Sequence, residues 1–333
     1  MDVDAFVAAH RAEWTRLDKL VRRRRRLSGP EVDELMASYQ RVATHLSMLR
    51  TVGHDPALTW RLSVTVARAR AAAVGGAHSS GWSTVRRFFT VSFPLAAYRY
   101  RWWWLATAVG SLVLAALVGW WMARTPAVLA SFGATPRQQS QYVNHEFRQY
   151  YSQYNGGSFG SEVWTHNSLL AAEMLISGIL LGIPTLFLLL ENALDLGSAG
   201  ELMVTHGRGA EFFSLILPHG MLELSSVFLA AAAGLRLGWA IIDPGPRPRG
   251  QALAEEGRAA ITIALGLVLT LFVSGSIEAF VTPSSLATWA RILIGACVEA
   301  AFLSYVLVVG GRASRSGLSA DMEQAPDVLP VAG

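Results

Sequence analysis

The chain has 333 residues, of which 52% are apolar and only 16% charged. That balance excludes an ordinary soluble domain, and the apolar residues fall in long blocks, as in membrane-spanning proteins. The net charge is +4, and Lys19 is the single lysine among 28 basic residues, a bias typical of GC-rich genomes.

Residues 1–95 read as a cytoplasmic helical region. "MDVDAFVAAHRAEW" lacks a basic stretch followed by an apolar run, so it does not read as a signal peptide. A first helix ends in the arginines 22–26. Ser28 and Glu31 form an S-x-x-E capping box with Pro30 in the first turn, and a second helix follows to about Leu49. Asp55 and Pro56 open a third, which Gly75 and Gly76 close. The arginine run fits anionic headgroups or a solvated helix face better than nucleic acid, which is not expected as a partner.

In "WSTVRRFFTVSFPLAAYRYRWWWLA" arginines alternate with Phe, Tyr and Trp, the composition of a membrane–water interface. The expectation is an amphipathic interfacial helix over about 82–92, then Pro94, then entry into the membrane. The transmembrane domain is placed at 96–310. Its first span runs from Trp103 to Met122, and 124–165 is a polar loop with a short helix near 137–152. A second span is expected from Ser168 to about Leu190. Three more follow at 221–242, 259–281 and 289–309, and 311–333 reads as a disordered cytoplasmic tail.

Placing the basic segments inside puts both termini in the cytoplasm and the 124–165 loop outside. That orientation requires one further crossing between 193 and 217, a Gly-rich stretch carrying Asp195, Glu201, His206, Arg208 and Glu211. The fold predicted is therefore an all-α, polytopic helix bundle of about six spans, one of them polar or re-entrant.

Several ionisable residues fall inside the spans. Glu173, His219, Glu223 and Glu278 sit at similar depth near the outer boundary, and Glu299 lies deeper. His219 and Glu223 are four apart and share a helix face. Pro218 is expected to start that helix, with Gly220 permitting close packing. Three readings stay open: hydrogen-bonded staples between helices, a polar cavity for a proton, ion or small substrate, or a metal site with His219 and Glu223 as its first candidates. H-x-x-x-E is much less specific than H-E-x-x-H. Gly178 with Gly182 and Gly234 with Gly238 have the small-x-x-x-small spacing of close helix contacts, and Arg236 is expected to pair or snorkel. Cys297 has no disulfide partner and is expected to pack as a small apolar residue.

"LPHGMLELSSVFLAAAAGLRLGWAII", "GSIEAFVTP", "FP…YRYRWWW" and "GILLGIPTLFLLLENALDLG" together resemble the stage II sporulation protein M family over about residues 93–310. The matching motif positions are Pro218, His219, Gly220, Glu223, Glu278, Thr282 and Pro283. The resemblance implies a multi-pass protein of the bacterial plasma membrane. It also implies a scaffold for cell-envelope or peptidoglycan remodelling proteins rather than an enzyme, and it carries over no catalytic residues. The partners expected are membrane lipids, envelope proteins and a second copy of the chain, with no cofactor. A permease or channel-like subunit using the polar layer, or an intramembrane metal-dependent enzyme, is the alternative.

Overall fold

The computed structural model describes residues 3–23, 27–52, 56–74, 81–125, 135–150 and 156–318, and among these every regular element is helical. The arginines 24–26, Asp55, the Gly75–Gly76 pair and the tail beyond 318 lie outside the described residues. The chain divides into two compact units, within residues 1–84 and 85–322.

The first unit packs α1 (Val3–Arg22), α2 (Gly29–Val52) and α3 (Pro56–Val74) against one another. Apolar residues recurring at helical spacing bring Trp14, Leu17, Leu20, Leu35, Val42, Leu49, Leu62 and Ala69 into its own core. Glu31 accepts from the Ser28 backbone N–H at 2.9 Å at the start of α2, as the capping signature predicts.

The second unit begins within α4 (Gly81–Arg87), continues through a π turn (Phe88–Ser92) into α5 (Phe93–Arg99), and enters α6 (Arg101–Arg124). The stretch expected to lie flat in the interface is partly built into the bundle. Phe88, Phe93, Ala96, Ala97 and Tyr100 are core residues, because Gly266 leaves a recess for the Phe93 ring. Pro94 does not break the chain there; it follows the π turn directly in the first turn of α5, and the Phe89 carbonyl in that π turn accepts from the Tyr305 hydroxyl.

After the first long helix come α7 (Pro136–Gln141), a π turn (Tyr142–Glu146) and α8 (Phe147–Tyr150). Then follow α9 (Gly156–Ser177), α10 (Ile183–Thr205), α11 (Gly209–Ile242), α12 (Arg249–Ser276) with a terminal π turn (Ile277–Val281), and α13 (Thr288–Ser304). A π turn (Tyr305–Gly310) and α14 (Gly311–Arg315) end the described chain. Four of these helical stretches, beginning at Arg101, Gly209, Arg249 and Thr288, are long and apolar enough to cross a membrane.

Contacts fix the relative directions. α6 and α10 run parallel, with Gly197 against the Ala115 carbonyl and Gly119 against Gly197. α11 opposes α10, since Gly200 meets Phe212 at one end and Gly234 meets Thr185 at the other. α12 opposes both α11 and α9. α13 follows α11, with Gly295 on the Pro218 carbonyl and Glu299 on Ser225. Six long helices thus alternate in direction. Helix α11 is the axis: 67% of its apolar window is buried, against 22% for α6 and 17% for the α13 stretch.

One predicted span is corrected. Residues 168–190 are not a single helix: α9 stops at Ser177 and α10 starts at Ile183, with Leu181 at φ 59° and Gly182 at φ 75° between them. The chain reverses at this turn, and residues 193–217 do not form a separate helix. That stretch instead divides between the end of α10 and the start of α11. Gly182 followed by Pro184 is the helix stop-and-start signal that marks the turn. The turn is held by Thr185, which donates to the Met174 carbonyl at 2.9 Å. Gly178 and Gly182 pack directly on Gly234 and Gly238, as their spacing predicts: a Cβ on Gly178 would stand 2.1 Å from the Gly234 carbonyl oxygen.

Candidate functional site

Helix α11 passes through the middle of the bundle, and Pro218 lies inside it rather than at its start. A proline there forfeits one backbone hydrogen bond and perturbs the preceding turn, at a cost on the order of 3 kcal/mol in an isolated helix. Here Gly295 lets α13 press directly on the Pro218 carbonyl, so packing holds the segment. One residue later His219 is buried, with Glu223 a turn further on the same face.

The facing groups come from the end of α12. The π turn over Ile277–Val281 bonds the Thr282 N–H to the Ile277 carbonyl at 2.9 Å and brings Glu278 and Thr282 inward. Such single π turns are frequent at functional sites because the extra residue redirects a side chain. Glu278 and Thr282 are both buried. Glu278 Oε2 stands 3.9 Å from His219 Nε2. His219, Glu223 and Glu278 each offer a ligand atom, and these atoms all lie within 4.8 Å of one another.

Hydrogen bonds hold the histidine. The Thr282 hydroxyl lies 3.3 Å from the Ile277 carbonyl and is hydrogen-bonded to His219 Nδ1 at 3.2 Å. Nε2 is then the ring nitrogen turned towards Glu278. Ser274 donates to the His219 carbonyl at 3.1 Å and lies 3.5 Å from Glu223 Oε2. Asn167, on α9, supplies a further side-chain hydrogen bond to Glu223. Three helices therefore hold one polar group of residues.

A cavity of about 510 Å³ reaches this group. His219, Gly220 and Glu223 form one wall, Asn192 and Asp195 of α10 another, and Tyr142, Glu146 and Phe147 the cap. Arg208 fixes the cap by donating to the Val143 carbonyl at 2.7 Å, and Phe147 stacks on Phe212 with 5.7 Å between centroids. Glu146 and Asp195 add two acids to the cavity beyond the floor group.

The other anticipated positions lie elsewhere. Glu173 is exposed on α9 and does not join the layer, because α9 begins at Gly156 and ends at Ser177, which puts Glu173 near its far end rather than near its start. Glu299 accepts from Ser225 at 2.5 Å, one turn along from Glu223, and its Oε2 has no hydrogen-bond partner among the described residues. Gly220 packs against Ile216, while Pro283 is exposed just past the π turn. Cys297 is exposed on α13 rather than buried.

A second buried acid was not anticipated. Glu256, fully buried near the start of α12, accepts from Arg99 at 2.7 Å and from the Tyr100 hydroxyl, with Arg236 at 3.4 Å and Arg247 at 3.9 Å. "ALAEEGR" resembles a solvated loop in sequence. Only the four-residue spacing from Ala252 through Glu256 to Ala260 on one face points inward.

Long apolar helices around a buried histidine–carboxylate group define a polytopic helical membrane protein with a polar chamber. The family model described as Stage II sporulation protein M matches residues 108–283, just over half of the chain, and the protein belongs to that family. Residues 4–75 match a second model, described as Domain of unknown function (DUF8413). An uncharacterized protein of Methanocaldococcus jannaschii, MJ0793, is 26% identical over 127 residues, which cover 36% of this chain and 69% of that one. No solved structure matches.

Proposed function

We propose that the chamber is the working site of this membrane protein and that it binds a divalent transition cation through His219, Glu223 and Glu278. The observation that carries the reading is the convergence of the three side chains, two of which, His219 and Glu223, line a cavity. Two carboxylates that close in a water-poor interior repel each other unless a proton or cation lies between them. One imidazole and two carboxylates is a donor set for zinc, manganese or iron, and it balances a +2 charge. Thr282, Ser274 and Asn167 are the outer hydrogen-bonding groups that such ligands need for orientation. Glu146 of the cap and Asp195 of the α10 wall give the cavity a negative field that concentrates cations.

In this reading the six alternating helices cross the plasma membrane, with both termini in the cytoplasm and the 136–150 cap outside. The arginines gathered near Glu256 support that orientation through the positive-inside rule. Metal content of purified protein tests the cation assignment. One ion per chamber is expected, lost in Glu223→Gln and Glu278→Gln; equal metal in the variants and the native chain overturns it.

A second reading follows the family: a scaffold for envelope-remodelling proteins. It is favoured by the N-terminal unit, which has its own core and is a ready docking module. Under that reading Glu223→Gln leaves partner capture intact, whereas removal of residues 1–84 abolishes it.

A further inference from the structure

The N-terminal unit carries a second constellation that neither the family match nor the chamber uses. His10 and Glu13 on α1 share a face with Trp14 and Leu17, following the three- and four-residue spacing of a helix. That face packs on α2, where His45 stands opposite. The His10 and His45 rings lie 4.1 Å apart between centroids, tilted by 37°. Glu13 sits between them: its Oε2 is 4.0 Å from His10 Nδ1 and 3.9 Å from His45 Nδ1. Its other oxygen, Oε1, is held by Arg41 Nε.

We propose that His10, Glu13 and His45 form a zinc-binding site that links α1 to α2. Two imidazoles and one carboxylate are three of the four ligands of a tetrahedral zinc ion, and hard cations such as magnesium make poor use of imidazole. Zinc bonds of about 2.0–2.2 Å to nitrogen and oxygen place ligand atoms roughly 3.3–3.5 Å apart, so the two spacings from Glu13 close by about half an ångström on binding. All three ligand atoms already lie within 4.8 Å of one another. Arg41 orients the carboxylate, as outer-sphere partners of metal ligands do, although its positive charge weakens the attraction.

The competing contact is known. Trp14 Nε1 donates to His45 Nδ1 at 3.3 Å, longer than the usual 2.9–3.0 Å for such a bond, and zinc must displace it. The Phe6 ring edge closes the other side of His45. His10 and Glu13 remain 33% and 24% exposed, so the fourth position opens to solvent. An open fourth position marks an exchangeable site and not a closed structural one.

The test is zinc titration of the full chain in detergent, read by bound zinc and by melting temperature, with His10→Gln and Glu13→Gln beside His219→Asn. His10 is partly exposed, so its replacement leaves the helical unit folded, which circular dichroism verifies. The expected result is zinc affinity about 100-fold weaker in His10→Gln and Glu13→Gln. His219→Asn retains this site, which separates it from the chamber, and magnesium gives no stabilisation. Native-like zinc affinity in both N-terminal variants, or equal stabilisation by magnesium, overturns the proposal.

Discussion

His219 Nε2 and Glu278 Oε2 stand 3.9 Å apart, the acid being carried by the π turn that ends α12. The opposite ring nitrogen, Nδ1, is hydrogen-bonded to the Thr282 hydroxyl at 3.2 Å, which leaves Nε2 turned towards the acid. That orientation prepares the pair to share a cation. Replacing Thr282 by Val removes the hydroxyl while keeping the side-chain volume. Divalent-cation affinity should then fall by roughly 10- to 100-fold with the fold retained. Calorimetric titration in detergent measures it; an unchanged affinity would remove Thr282 from the account.

The cap predicts its own opening. Arg208 bonds the Val143 carbonyl at 2.7 Å and the Asn144 side chain at 3.2 Å. Arg208→Ala leaves these acceptors to water and frees the π turn above the cavity. Hydrogen exchange in residues 136–150 should accelerate, while exchange in α11 stays slow. Equal protection in the variant would show that the Phe147–Phe212 stack alone holds the cap.

The glycine contacts give a stability prediction with an internal control. A Cβ on Gly234 would lie 2.1 Å from the Met174 carbonyl oxygen, backbone that has little room to yield, and 3.2 Å from Thr185 Oγ1. Gly234→Ala should cost about 1–3 kcal/mol, as overpacking does. Gly110 has nothing within 4 Å of its Cβ position, so Gly110→Ala should be neutral or slightly stabilising. Thermal melts of both in one detergent compare them directly.

Glu256 is the hub of an ion cluster with three arginines. Truncating a fully buried ion pair costs about 3–5 kcal/mol, but Arg99 is 41% exposed and solvent offsets part of that. Glu256→Ala should therefore destabilise the bundle by about 2 kcal/mol, and Glu256→Gln by less because it keeps a hydrogen-bonding oxygen. A melt equal to that of the native chain would show the cluster to be solvated.

In the N-terminal unit, burial first and His10 second hold His45 below its ordinary value of 6.5; the Glu13 carboxylate opposes them and Arg41 adds to them. Folding thus favours the neutral ring. The contribution is fully present above pH 6.5 and is lost as pH falls below that value. Between pH 7.5 and 5.5 the native melt should drop more than that of His45→Gln; parallel curves would exclude the effect.

Much of the fold was legible because apolar runs of 20 or so residues have few alternatives. The runs at 103–122, 221–242, 259–281 and 289–309 all fall within long apolar helices. The error lay where two helices meet inside one apolar run: "LLGIP" is as greasy as its flanks, so hydropathy joins α9 to α10 and only Gly182 and Pro184 separate them. Glu173 was misplaced by the same join. His219, Glu223 and Glu278 were visible as ionisable residues in apolar surroundings, where charge is costly. The π turn, the cap and the Glu256 cluster depend on contacts between distant segments, which periodicity does not record.

The most direct test of the chamber is anomalous diffraction from crystals of the full chain grown with zinc or manganese. The account predicts a peak about 2.0–2.2 Å from ligand atoms of His219, Glu223 and Glu278. A chamber holding only water or lipid, with the three side chains paired to one another and no anomalous signal among them, would contradict it.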